Sequence, residues 1–84
     1  MKARQLIGGA AFPPDDLKVI FDSFDDAWAE VAPDVGTDPS AVEPARLSLA
    51  TIVLTLARAG QIDRESIRTA AVDAFRLKHH VGGT

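Results

Sequence analysis

The run PPDDLKVIFDSFDDAWAEVAP at residues 13–33 decides how this chain folds. Leu17, Ile20, Phe21, Phe24, Trp28 and Val31 recur at steps of three and four. At helical rotation they fall within an arc of about 100°, the stripe of a helix that buries one face. Pro14 suits the first helical position, where its missing N–H has no partner to lose. Asp15 and Asp16 then oppose the positive end of the helix dipole. Pro33 reads as the stop, giving a first helix over about 14–32.

Outward from this run, PDVGTDPS at 33–40 is dense in turn residues and reads as a loop. The next helix start is ambiguous. Asp38-Pro39 has the form of an N-cap with a first-turn proline, and Ser40 to Glu43 fits a capping box. Pro44 competes with both, because inside a helix it lacks the N–H for a bond to Ser40. The preferred reading is a loose first turn and a regular helix over about 44–59, with Gly60 as terminator. Leu49, Ile52, Val53 and Leu56 make one apolar stripe of this helix; Leu47, Ala50, Leu54 and Ala57 make a second beside it. So wide an apolar arc marks the central helix. Asp63 opens a third helix over about 63–78, with Ile62 placed to staple onto Ile67. Its expected buried face is Ile67, Ala70, Ala71, Ala74, Phe75 and Leu77.

The expected fold is therefore all-α, a three-helix up-down-up bundle, because short connections favour antiparallel neighbours. Residues 13–80 form the helical domain, and 81–84 a flexible tail. Residues 1–12 form a basic-then-apolar arm, disordered or docked through Leu6, Ile7 and Phe12; Gly8-Gly9 argues against a helix there.

Composition narrows the function classes. The chain has 84 residues and no cysteine, so neither a disulfide nor a thiolate zinc site supports its small core. Oligomerisation is the stabilising device left open. With 46 % hydrophobic and 25 % charged residues it is too apolar for intrinsic disorder. The formal net charge of −3 argues against a dedicated nucleic-acid binder. The most apolar stretch, Leu47 to Ala59, falls short of the roughly 20 residues a bilayer span needs. The arm faintly resembles a signal peptide, but its apolar part is at the lower length limit, holds two glycines and runs straight into Pro13-Pro14, and a cytoplasmic location is expected.

Phe24 to Pro33 (FDDAWAEVAP), followed by Ala45 to Ala50 (ARLSLA), resembles a group of small helical proteins of α-proteobacteria with no assigned activity. The likeness spans about residues 16–75. It implies a cytoplasmic bacterial protein and transfers no functional residue.

Few residues point to chemistry. Asp22, Asp26 and Glu30 stack on one face of the first helix, suited either to a divalent cation or to arginines of the third helix. An EF-hand loop counted from Asp22 fails, because Ala27 stands where glycine is required. Residues 1–43 hold 3 basic and 9 acidic groups (net −6), and residues 44–84 hold 6 basic and 3 acidic (net +3). That asymmetry serves pairing within the bundle or between copies. Arg46 sits at the edge of the apolar arc and is expected to pair with an acid of the first helix or with Glu43. His79-His80 lack further ligands, and no conventional base stands by a nucleophile elsewhere. The reading is a non-enzymatic helical protein–protein interaction module, self-associating through Leu47, Ala50, Leu54 and Ala57, with no cofactor or metal. The alternative is a small DNA-binding regulator using Arg64, Ser66, Arg68 and Thr69 of the third helix.

Overall fold

The computed structural model describes residues 2–9 and 11–82, with side chains described for 5–9 and 11–78. Four helices follow one another: α1 Lys2–Gly8, α2 Pro14–Val35, α3 Pro39–Arg58 and α4 Arg64–Gly82. No strand occurs among the described residues. The three long helices pack on one another as the all-α bundle expected, and α1 packs on α3 and α2.

The boundaries differ from the sequence expectation for identifiable reasons. Pro33 does not stop α2, which continues to Val35. The acceptor that Pro33 deprives is the carbonyl of Ala29, an exposed residue that water can serve, so the proline is tolerated in the last turn. The stop is Gly36, whose φ of 88° no side-chain-bearing residue adopts without strain, and whose N–H donates to the Ala32 carbonyl at 3.0 Å. Likewise α3 begins at Pro39 rather than near residue 44. Asp38 is its N-cap, its Oδ1 accepting from the Ser40 N–H at 3.1 Å, and the capping box from Ser40 to Glu43 is superseded. Pro44 lies inside the helix and deprives only exposed Ser40. Gly60, at φ 98°, ends the turn after α3, and Asp63 caps α4 by accepting from the Ser66 N–H at 2.9 Å.

The N-terminal arm is helical where a break was expected. Gly8 and Gly9 fall at the end of α1, where Gly9 N–H closes onto the Gln5 carbonyl at 2.9 Å, so neither costs a helix interior. Ile7 docks completely and Phe12 packs against the core, while Leu6 stays 42 % exposed. At the other end α4 runs on through Gly82; the side chains of His79 and His80, and residues 83–84, lie outside the described residues.

The core combines Ile7 of α1, Ile20, Phe24, Ala27 and Val31 of α2, Ala45, Leu49, Ala50, Val53, Leu54 and Ala57 of α3, and Ile67, Ala71, Val72 and Phe75 of α4. Leu17, Phe21 and Trp28 of the expected α2 stripe flank it, half-buried. On α4, Val72 replaces the expected Ala74 and Leu77; Leu77 is 69 % exposed. Among the described residues Ser23 is the buried polar one. Its hydroxyl donates to the Val19 carbonyl at 2.6 Å and lies 3.3 Å from that of Arg64, tying α2 to the start of α4. The Cα radius of gyration, 12.2 Å, is close to the ~12 Å of a packed chain this long, so the monomer closes on itself.

Candidate interaction surface

The expected surface on α3 is placed largely inside the molecule. Ala50, Leu54 and Ala57 are buried and Leu47 is half-buried. Two contacts tie α3 to its long neighbours. Ser48 of α3 accepts from Lys78 Nζ of α4 at 3.3 Å, and the Arg46 guanidinium of α3 lies 4.7 Å from the centroid of the Trp28 ring of α2. The remaining element packed on α3 is α1. A Cβ on Gly8 would stand 3.8 Å from Phe21 Cζ, which brings the end of α1 onto the early turns of α2. Ala50, Leu54 and Ala57 are thus no free face in this conformation, and α1, absent from the three-helix expectation, packs on α3 beside α2 and α4.

Arg46 therefore meets an aromatic face, a contact the sequence reading did not include. A cation over an indole gains electrostatic attraction while its stem covers apolar surface. No short-range signal could reveal this contact, since Trp28 and Arg46 lie on different helices.

The charge asymmetry is taken up within the chain. Arg64 grips Asp26 with both arms of its fork, Nε donating to Oδ2 at 2.6 Å and Nη2 to Oδ1 at 3.0 Å, and reaches Asp22 at 3.8 Å. Lys18 also donates to Asp22, at 3.0 Å. Arg68 donates to Glu30 at 3.1 Å, and Arg76 stands 3.4 Å from Asp34. The acidic stripe of α2 is a ladder for the arginines of α4. The Arg64 hydrogen bond holds the Asp26 carboxyl below the usual range against the opposing effect of desolvation, with the charges of Arg64 and Arg68 adding to the lowering. Hydrogen bonds from Ser66 lower Asp63 in the same way, and Asp26 in turn raises Arg64. Arg64 and Arg68 are therefore engaged by α2, which removes support from their use in reading DNA. Among the described residues no three His, Asp or Glu side chains gather in a way that would hold a metal ion.

A groove of about 630 Å³ opens where α2 ends, between the first turns of α3 and the late turns of α4. Val35, Ala41, Pro44 and Phe75 form its apolar wall, and Asp34 and Lys78 its charged rim. The N–H groups of Ser40, Ala41 and Val42 nearby are already bonded to Asp38, leaving no free donors there for an anion. Measured from Pro39, α3 is 20 residues long and apolar enough by length and composition to cross a membrane, which corrects the count taken from Leu47. In this fold it packs on all three other helices, as α2 does.

No protein-family model, no curated protein and no solved structure matches the chain.

Proposed function

We propose that this chain is a non-enzymatic helical interaction module that receives a short amphipathic helix on the α3 flank formed by Leu47, Ala50, Leu54 and Ala57. One observation supports the reading: the smallest element of the fold, α1, packs on α3. The α1 helix has seven residues, against the roughly 12–15 that an isolated helix needs to be even marginal in water. Of its described side chains only Ile7 is fully buried. An element so held belongs to the low end of local stability and opens without global unfolding. What it uncovers is a row of aliphatic side chains of helix-in-groove type, read by residues at i, i+3 and i+4.

The test uses the full chain carrying Ile7→Asp, which prevents α1 from docking and leaves the groove intact. A fluorescent peptide of residues 1–9 should bind this variant saturably in an anisotropy titration. It should bind the unaltered chain more weakly, by the fraction of molecules whose groove is open. Trp28 emission and helical circular dichroism establish that the variant is folded. A folded Ile7→Asp chain that ignores the peptide would refute the reading.

A further inference from the structure

We propose that the groove where α2 ends binds a small amphipathic monocarboxylic acid, its carboxylate on Lys78 and Ser48 and its apolar tail laid toward the first turn of α3. The site is distinct from the contact of α1, because its described lining comes from α2, α3 and α4. Its form follows from the residues. Ala41, Ala45 and Ser48 are short and leave room between α3 and α4, and Phe75, 2 % exposed, forms the floor. Val35 and Pro44 complete the apolar wall. The volume of about 630 Å³ falls in the roughly 300–1,000 Å³ of small-molecule sites, which join an apolar lining to a few polar groups.

Charge selects the ligand. Asp34 on the rim is already engaged by Arg76 at 3.4 Å. Lys78 Nζ donates to the neutral hydroxyl of Ser48 at 3.3 Å, and no ion pair engages it among the described residues. An ammonium has three donors, so two remain for a carboxylate. Ser48 Oγ accepts from Lys78, which leaves its own proton to donate to the same anion. At the other end the N–H groups of Ser40, Ala41 and Val42 are held by Asp38, so the anion belongs at Lys78 and the tail along the apolar wall. A cationic ligand would meet Arg76 and Lys78 against Asp34 alone. Length sets the tail. From Ser40 to Ser48 α3 advances eight residues, about 12 Å at its usual rise. An extended chain of about ten carbons is nearly as long, about 11 Å at ~1.52 Å per bond and ~111° per angle.

Calorimetric titration of the full chain with sodium decanoate, below micelle formation, should reveal one saturable site per chain. Hexanoate should bind more weakly, by up to about fourfold for each methylene removed, and decyltrimethylammonium should not bind. Lys78→Gln should weaken decanoate about fivefold, with Lys78→Arg close to the unaltered chain. Ala41→Leu should weaken it by narrowing the groove. Both positions are exposed, so the variants keep the fold, which circular dichroism checks. Ile7→Asp should leave decanoate affinity unchanged, whatever its effect on peptide 1–9, so this proposal and the module reading fail separately. Absence of a saturable site overturns the proposal, as does equal binding of decyltrimethylammonium. Decanoate binding that neither Lys78→Gln nor Ala41→Leu weakens, or that folded Ile7→Asp loses, places the acid elsewhere and overturns it too.

Discussion

Ile7, Ile20 and Ile67 are each 0 % exposed, yet truncating them to alanine should have unequal consequences. For Ile20 and Ile67, set in α2 and α4 with packed neighbours along their length, the removed methylenes leave a cavity that the long helices cannot close. Such Ile→Ala changes cost about 2–5 kcal/mol. For Ile7 the structure has an escape, because α1 can leave. The loss is then capped at the net free energy with which α1 docks. Burying Ile7 contributes about 1.5–3 kcal/mol. The entropy lost on ordering so short a helix opposes it, so the net docking free energy is smaller than the burial alone. We therefore expect Ile7→Ala to cost below about 2 kcal/mol, less than either of the others. Urea unfolding followed through Trp28, the single tryptophan, measures all three. The slope with denaturant should fall slightly for Ile7→Ala, whose folded state already exposes the groove, and stay constant for Ile20→Ala and Ile67→Ala. An Ile7→Ala chain that loses as much as Ile67→Ala, with an unchanged slope, would show that α1 is integral to the cooperative core and would refute the reasoning.

Gly36→Ala should destabilise by about 1–3 kcal/mol through backbone strain alone, since a Cβ there meets nothing within 4 Å at φ 88°; a thermal melt equal to that of the unaltered chain would contradict this. Arg46→Ala should cost about 0.5–1 kcal/mol and shift Trp28 emission, with Arg46→Lys recovering part of both; an unmoved spectrum would mean that the guanidinium does not sit on the ring. Asp26 and Asp63 have carboxyls lowered in the folded state. Their contribution is present above the unfolded carboxylate pKa and is lost as the pH falls from there through the lowered folded values. Asp26→Asn should accordingly flatten the acid limb of stability against pH, and an unchanged limb would place its origin elsewhere.

Much of the bundle was legible because burial and period coincide: the α2 stripe from Leu17 to Val31 and the wide arc of α3 both follow from spacing. The errors came where a local rule met a tolerant setting. Pro33 and Pro44 each deprive the carbonyl of an exposed residue, Ala29 and Ser40, and water removes the penalty that would have broken a buried helix. Gly8-Gly9 spoke against a helix in the arm, but the pair closes one. The expected site suffered most from this. Ala50, Leu54 and Ala57, expected at a surface for a partner, are buried within the one chain, and the glycines concealed α1, which packs on α3. Arg46 on Trp28 depends on the fold bringing α2 beside α3, which no window of sequence displays.

The ladder between α2 and α4 bears on the order in which the chain assembles. Its forked pair, Arg64 with Asp26, and its second rung, Arg68 with Glu30, each join residues 38 apart. Neither can close until α3 has reversed the chain, whereas α2 and α3 meet across a connection of three residues, 36–38. Contacts of low sequence separation lose least loop entropy and form early. The charges of α4 would then arrive after the rate-limiting step, acting as a latch on a finished bundle. Arg68→Ala should hasten unfolding and leave the folding rate nearly unchanged in stopped-flow measurements; slower folding with unchanged unfolding would reverse the order. Read this way, the opposed charge of the two halves of the chain governs how long the fold persists more than how fast it is found.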